Sequence, residues 1–286
     1  MFFLYEVLGF LIIIFSPIII WIRILNNKED PKRFKEKLCF FTKKRNKGKL
    51  IWFHGASVGE IMSIVPIIKE IEKNKEIKII LVTSSTVSSS TLISKFKFQK
   101  VIHQFFPLDT NYLSKKFLNY WKPNLAIFVE SEIWPNFINN IKSEKIPLIL
   151  LNGRFTKKTF ARWKKIPTSA KNIFKKFDLC FVQNLESKKF LKYFDVKKIK
   201  SYGNIKYSQS NLENKNKLPN ILKKKRLWCA SSTHLNEEEI IGKVHLKLKK
   251  KFKNIITIII PRHINRSKEI ISEIKKLDLK VLLHSR

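Results

Sequence analysis

A regular alternation of short apolar segments with longer segments of helical periodicity most constrains what this chain can fold into. Apolar runs of about four to eight residues are typical of strands buried on both faces, and a helix between consecutive strands lets them lie parallel. The pattern therefore predicts an α/β fold built on a doubly wound parallel sheet. The predicted strands are Leu50–His54, Ile77–Thr83, Val101–Phe105, Leu125–Val129, Leu148–Leu151, Leu179–Val182 and Ile199–Tyr202. The predicted helices are Ile61–Ile71, Ser88–Phe96, Tyr112–Tyr120, Trp134–Ile141, Thr159–Phe174 and Ser187–Phe194.

A polar stretch rich in Lys and Asn, residues 211–225, interrupts this alternation and predicts a linker between a first domain (26–210) and a second (226–286). A sheet of two or three strands leaves its faces poorly covered, so we expect the second domain to be partial in this chain. Its predicted elements are strand Leu227–Ala230, helix Asn236–Leu248, strand Ile255–Ile260, helix Arg266–Leu277 and strand Lys280–Leu283.

The N-terminal segment carries no charge from Val7 to Ile22. A helix rises about 1.5 Å per residue, so this run is barely long enough for a hydrocarbon core of about 30 Å unless its flanks join it. Arg23, Lys28 and Lys32 follow it, which orients the rest of the chain toward the cytoplasm. Residues 1–25 therefore predict an inner-membrane anchor, either spanning or lying in the cytoplasmic leaflet. The alternative is a buried core helix.

Composition narrows the choice of partners. The 286 residues include 58 Lys and Arg against 22 Asp and Glu, for a formal charge of +36, which favours anionic partners. The lysines are scattered and no nucleic-acid motif is present, so we expect no nucleic-acid partner. General lysine enrichment of the surface is the alternative origin of the charge. Cys39, Cys180 and Cys229 lack metal-ligand spacing, and we expect neither a zinc site nor a disulfide framework.

The segment IWFHGASVGE, Ile51–Glu60, joins the first strand to the first helix of the sheet and supports three interpretations. GASVG fits the G-x-S-x-G nucleophile elbow, which would make Ser57 a nucleophile with Asp109 and His234 or His263 as partners. An elbow is normally reached after several strands, however, and here it follows the first. In the second interpretation the glycines let the backbone approach a ligand while Glu60 acts as a carboxylate. In the third, Glu60 merely caps the helix.

Other polar residues also follow predicted strands, and the carboxyl ends of parallel strands meet at one edge of a sheet. Glu130 and Glu132 follow the fourth strand; one could cap the next helix while the other points into the same cleft as Glu60. Arg154 has the fork geometry that binds phosphate or carboxylate. Four of the seven glycines, Gly55, Gly59, Gly153 and Gly203, also lie in segments that follow predicted strands. The remaining strand-end candidates are Lys206 in YGNIKY and Pro261, Arg262 and His263 in IIIPRHINR.

In chain order, PKRFKEKL, HGASVGE, FPLDT, FVESEIWPN, LNGR, GNIKY, ASSTHLNEEE and PRH resemble the motifs of the Kdo transferase family, the 3-deoxy-D-manno-octulosonate transferases of lipopolysaccharide synthesis. The resemblance covers nearly the whole chain. It implies a GT-B-like fold with two Rossmann-like domains, the second incomplete here. It also implies an inverting transfer of Kdo from CMP-Kdo to a lipid A precursor at the inner membrane, with no cofactor and no metal.

The resemblance also implies residue roles. Glu60 matches the general base that deprotonates the acceptor hydroxyl. Glu130 and Lys206 match positions that stabilise the transition state, Ser57, Gly59 and Arg154 lie in substrate-binding motifs, and Pro261 and Arg262 match a pair that contacts CMP. Family members continue into a Met-Gly-Glu-type loop and a GGxNPLE-type segment, neither of which occurs here. We therefore expect an incomplete donor half and impaired transfer by this chain alone. The alternatives are a membrane-anchored acyl hydrolase using Ser57 and a non-catalytic protein that binds anionic lipid.

Overall fold

The computed structural model describes residues 2–207 and 225–283, which belong to two compact units, Met1–Leu212 and Glu213–Arg286. The predicted linker lies outside the described residues except for Lys225. The first unit contains α1 (Phe2–Leu25), a 3-10 helix (Phe34–Leu38), β1 (Lys49–His54), α2 (Val58–Lys73), β2 (Ile77–Ser84), α3 (Val87–Lys95), β3 (Val101–Phe105), α4 (Asn111–Trp121), β4 (Leu125–Val129), α5 (Pro135–Ser143), β5 (Leu148–Gly153), α6 (Lys157–Lys164), α7 (Pro167–Phe174), β6 (Leu179–Val182), α8 (Leu185–Tyr193) and β7 (Ile199–Ser201).

These strands form a parallel sheet of seven in the order β3-β2-β1-β4-β5-β6-β7, which confirms the predicted fold class. The order reverses between β1 and β4. In open α/β sheets this reversal opens a crevice outside the carboxyl ends of the strands, where ligands bind. Glu60 lies in the first turn of α2, shortly after β1, and Glu130 comes directly after β4.

Alternation along β1 explains how the sheet is held from both sides. Phe53 is buried in a cluster with Ile61, Ile64 and Ile68 of α2, whose spacing puts them on one helical face. Trp52 points to the other face and contacts a second cluster that includes Phe128. Both layers fix the end of β1, and therefore the turn that follows it.

One face of α1 packs against the rest of the first unit. Ile20 is 6% exposed and Ser16 is 4% exposed, and the Tyr5 hydroxyl donates to Asp109 Oδ2 at 2.7 Å. The opposite face is apolar and exposed, with Ile18 and Trp21 the clearest examples. Among the described helices, the stretch Tyr5–Leu25 of α1 is long and apolar enough to cross a membrane, with a mean hydropathy of 2.5. A soluble core helix or a signal sequence can satisfy the same criterion, so the membrane anchor stays a prediction.

The second unit has a parallel pair, β8 (Arg226–Thr233) and β9 (Ile255–Pro261), with α9 (Glu237–Lys251), a 3-10 helix (Ile264–Arg266) and α10 (Ser267–Lys275). The strand predicted at Lys280–Leu283 is wrong, because those residues pair with none of the described strands. Leu282 is 82% exposed there, and a short apolar segment forms a strand only when it pairs and buries side chains. The single helix predicted at Thr159–Phe174 is also wrong: it divides at Pro167, which begins α7.

Candidate active site

Glu60 lies in the first turn of α2, and its carboxylate is held by the turn that precedes the helix. The Ala56 amide donates to Glu60 Oε2 at 2.6 Å, and the Ser57 hydroxyl donates to Glu60 Oε1 at 2.8 Å. Gly55 permits this close approach, because a Cβ atom there would lie 3.1 Å from Glu60 Cβ. The carboxylate is thus fixed at the β1 end of the crevice and is half-buried.

Ser57 is the N-cap of α2. Besides donating to Glu60, its Oγ accepts a hydrogen bond from the Glu60 amide at 3.3 Å, as the side chain of an N-cap serine does. Asp109, its predicted acidic partner, is occupied elsewhere and accepts from Tyr5 and from the amides of Asn136 and Phe137. Asp109 is therefore not available to orient a histidine base for Ser57, as the nucleophile-elbow interpretation requires. The hydrolase interpretation is therefore not supported.

Glu130 and Lys206 form an ion pair on the β4 side, with Lys206 Nζ 2.5 Å from Glu130 Oε1. Glu130 adopts a left-handed backbone conformation, with φ of 59°. Its amide donates to Leu151 O at 2.8 Å, which ties this strained residue to the end of β5. A glutamate in this conformation directs its side chain differently from a residue that continues the strand, and strain of this kind is concentrated at functional sites.

Lys206 is brought to this edge by asparagine contacts. Asn152, at the end of β5, accepts from the Ile205 amide and donates to Asn204 Oδ1, which in turn accepts from the Lys206 amide at 3.0 Å. The ammonium group then lies beside α2, since a Cβ on Gly59 would be 3.7 Å from Lys206 Nζ. The structure therefore brings Glu60, Glu130 and Lys206 together at the β1/β4 crevice.

Sequence reasoning missed a second pair at this edge, His54 and Glu132. His54 Nε2 lies 3.1 Å from Glu132 Oε2, and the Trp134 indole donates to the same oxygen at 2.7 Å.

The expectation that one strand-end glutamate caps α5 is wrong, because Asp109 supplies that cap. Its carboxylate reaches the α5 amides from a distant turn, 27 and 28 residues away along the chain. Proximity of this kind leaves no local sequence signal.

The electrostatics suit Glu60 to accept a proton. Burial raises its pKa, and the negative charge of Glu132 raises it further, against the lowering effect of the Ser57 and Ala56 hydrogen bonds. For Glu132 the balance is the opposite: burial raises the pKa, but contacts with His54 and Trp134 hold it below its usual range. Glu132 thus stays ionised while Glu60 becomes the more basic carboxylate, a division typical of acid–base sites.

The other predicted site residues have no described contact with Glu60, Glu130 or Lys206. Arg154 is exposed after β5, where its carbonyl accepts from the Ser131 hydroxyl at 2.5 Å. In the second unit, Pro261 ends β9 and the Arg262 amide donates to Thr233 O at 3.0 Å. Within the described ranges, no cluster of three or more His, Cys, Asp or Glu side chains is arranged to hold a metal ion.

A protein-family model described as 3-Deoxy-D-manno-octulosonic-acid transferase (kdotransferase) matches residues 32–209. The chain belongs to this family. It is 36% identical to the 3-deoxy-D-manno-octulosonic acid transferase of Rickettsia bellii, over 99% of the chain and 68% of that protein. It is 34% identical to a probable mitochondrial 3-deoxy-D-manno-octulosonic acid transferase of Arabidopsis thaliana, over 92% of the chain and 62% of that protein. The chain is therefore a member of a glycosyltransferase family, as predicted.

Solved structures support the fold class alone. A crystal structure of UDP-N-acetylglucosamine 2-epimerase matches with a TM-score of 0.59 and 11% identity, over 82% of this chain and 69% of the other. The corresponding Neisseria meningitidis enzyme, bound to UDP-GlcNAc, gives a TM-score of 0.58 with 14% identity, over 81% and 69% of the two chains. At such identities the shared feature is the GT-B-like α/β architecture.

Proposed function

We propose that this protein transfers Kdo from CMP-Kdo to a hydroxyl group of a lipid A precursor, with inversion at the Kdo anomeric carbon. The observation that carries the proposal is the arrangement at the β1/β4 crevice: a basic carboxylate, Glu60, beside a lysine held by a second carboxylate, Glu130. The chain spans 68% of the length of the Rickettsia bellii relative and 62% of the Arabidopsis one, so the activity, substrates and partners of the whole protein are part of this proposal.

In the proposed reaction, Glu60 accepts the proton of the acceptor hydroxyl as its oxygen forms a bond to the anomeric carbon. The bond from that carbon to the CMP phosphate oxygen breaks at the same time, and CMP leaves with the electron pair. Lys206 lies next to the N-terminus of α2, where its charge offsets negative charge on the departing CMP or on the Kdo carboxylate. Glu130 holds Lys206 there, and Arg262 and Pro261 contact the nucleotide.

We further propose that the protein acts at the cytoplasmic face of the inner membrane. The apolar α1 and the basic residues that follow it support this location. Phosphate groups on the acceptor and anionic lipid headgroups would both be attracted to such a surface.

Substitution of the proposed base tests this function. Glu60→Gln keeps the shape of the side chain but removes the proton-accepting group, and we expect a loss of about 10²–10⁴-fold in Kdo transfer, followed as CMP release. Glu70→Gln is the matched control, because Glu70 lies on the same helix and, among the residues the structure describes, its carboxylate pairs with exposed Lys73. Near-normal transfer by Glu60→Gln would refute the base assignment. Anionic-lipid binding without CMP release by the unaltered protein would favour the non-catalytic alternative.

A further inference from the structure

A long groove, named here the α1 groove, runs between α1 and the carboxyl edge of the sheet and encloses about 510 Å³. Its lining is mostly apolar and comes from both sides: Ile12, Ser16 and Ile19 of α1, and Phe106, Leu108 and Trp134 of the loops that follow the strands. The part of α1 that lines the groove extends from Tyr5 to Arg23, a distance of about 27 Å at 1.5 Å per residue. One leaflet of a bilayer contributes about half of a 30 Å hydrocarbon core, so the groove is long enough for an acyl chain.

The α1 groove reaches the candidate active site. Phe106, in its wall, stacks on His54 with ring centroids 3.7 Å apart, and Trp134 donates to Glu132. Ser85 also lines it, and the Ser85 amide donates at 3.4 Å to Ala56, whose own amide holds the Glu60 carboxylate. Glu60 does not itself line the groove, but these contacts place the groove close enough that an acceptor sugar at Glu60 would have an apolar surface nearby.

One polar group in the lining lacks a partner among the described residues. Glu29 is 3% exposed, and its Oε2 accepts from Arg23 at 3.0 Å and from Lys37 at 2.6 Å. Its Oε1 is buried and receives no hydrogen bond from any described side chain or backbone group. A buried acceptor of this kind favours a ligand that brings a donor, such as a hydroxyl or an amide N–H.

We propose that the α1 groove binds an acyl chain of the acceptor glycolipid, with a hydroxyl or amide of that lipid donating to Glu29 Oε1. This inference rests on the proposed function and adds a hydrocarbon subsite to it. The exposed outer face of α1 is apolar, so the helix can contact bulk lipid on one side and a single bound chain on the other. The groove thereby connects the hydrocarbon phase with Glu60, and the acceptor keeps its tail in an apolar environment while its sugar reacts.

Photolabelling of the full chain in detergent micelles tests the subsite without requiring turnover. The probe is a diacylated glucosamine phosphate with a diazirine at the end of one acyl chain. We expect label on groove-lining residues such as Ile12, Ile19 and Leu108, removed by an excess of the same glycolipid without diazirine but not by its deacylated sugar phosphate. Label confined to the outer face of α1, or equal competition by an ordinary phospholipid, would overturn the proposal.

A matched pair of variants sharpens the test. Ile12→Trp fills the α1 groove, whereas Ile14→Trp makes the same change on the outer face of the helix, and the two isoleucines are similarly exposed at 47% and 51%. We expect about a ten-fold loss of competable labelling in Ile12→Trp alone, since ten-fold corresponds to about 1.4 kcal/mol, or roughly two buried methylene groups. Equal labelling of both variants would refute the subsite. Should Ile12→Trp fail to fold, the positions labelled in the unaltered chain still decide the question.

The two proposals fail separately. Competable labelling in the groove without CMP release from CMP-Kdo would contradict the transfer reaction and leave the acyl subsite standing. Kdo transfer that proceeds equally well to acylated and deacylated acceptors, with label only on the outer face of α1, would contradict the acyl subsite and support the transfer reaction.

Discussion

Glu130 has a strained backbone and a charged side chain, and substitutions can separate the stability cost of the first from the functional role of the second. A residue with a Cβ in the left-handed conformation, here with φ of 59°, costs about 1–2 kcal/mol. Glycine avoids that cost but loses about 0.5–1 kcal/mol more backbone entropy on folding. The ion pair with Lys206 is 38% exposed on the lysine side, so solvent screening reduces its contribution to about 0–1 kcal/mol. Glu130→Ala and Glu130→Gly lose that pair equally, and only the backbone separates them.

We therefore expect Glu130→Gly to be more stable than Glu130→Ala by about 0.5–1 kcal/mol, or roughly 1–4 °C in Tm for a unit of this size. The control is Glu70, an exposed residue in the last turn of α2, where glycine should instead be less stable than alanine by about 0.5–1 kcal/mol. Thermal and urea unfolding of the four variants measure both differences. If alanine is as stable as glycine at position 130, the strain assigned to Glu130 is absent.

The same variants test the role of the Glu130 side chain. If the carboxylate is needed to hold Lys206 against developing negative charge, both substitutions should lower Kdo transfer by roughly 10²–10³-fold, however stable each variant is. A stable Glu130→Gly variant with unreduced transfer would show that the strained glutamate does not serve the reaction. If both predictions hold, the two variants differ in stability but lose transfer alike, as expected where a strained residue serves a site.

Two further predictions concern protonation. Glu132→Gln removes a negative charge that raises the pKa of Glu60, and because the ionised form of Glu60 is the active base, we expect the acid limb of kcat/KM for transfer to move to lower pH. Glu70→Gln should leave that limb in place, and an upward shift in Glu132→Gln would contradict the reasoning. Burial raises the pKa of the Cys39 and Cys180 thiols to about 12, whereas Cys229 is exposed, so iodoacetamide should modify Cys229 alone in the folded protein and all three after unfolding. Peptide mapping by mass spectrometry checks this, and labelling of folded Cys39 would show that the first unit is packed differently.

The sequence was a good guide to the sheet because strands buried on both faces need nearly continuous apolar runs. Leu125–Val129 and Leu179–Val182 are predicted with the bounds that the structure gives them. It was also a good guide to the strand ends, since parallel topology brings Glu60 and Glu130 to one crevice whatever the details of packing. The roles assigned to these residues and the domain bounds stay predictions.

What the sequence could not indicate depends on contacts between distant segments. His54 and Glu132 are 78 residues apart, and nothing local distinguishes Glu132 from a helix-capping acid. Asp109 replaces it as the cap only because two loops meet in the folded chain. Asn152 behaves similarly, since its contacts with Asn204 and Ile205 span more than fifty residues and yet set the position of Lys206. The α1 groove needs a packed helix and three loops before it exists at all.

The charge of the chain and the charge at the site have opposite signs, and the proposed reaction requires both. A formal charge of +36 attracts anionic molecules such as a sugar nucleotide or a phosphorylated lipid, and steers their diffusion toward the protein. Positive charge close to a carboxylate lowers its pKa and so makes it a weaker base. At the β1/β4 crevice, however, Glu130 and Glu132 lie near Glu60, and Lys206 is paired with Glu130. The site thus has three carboxylates and one paired lysine on a positively charged protein, and the two neighbouring carboxylates help to raise the pKa of Glu60.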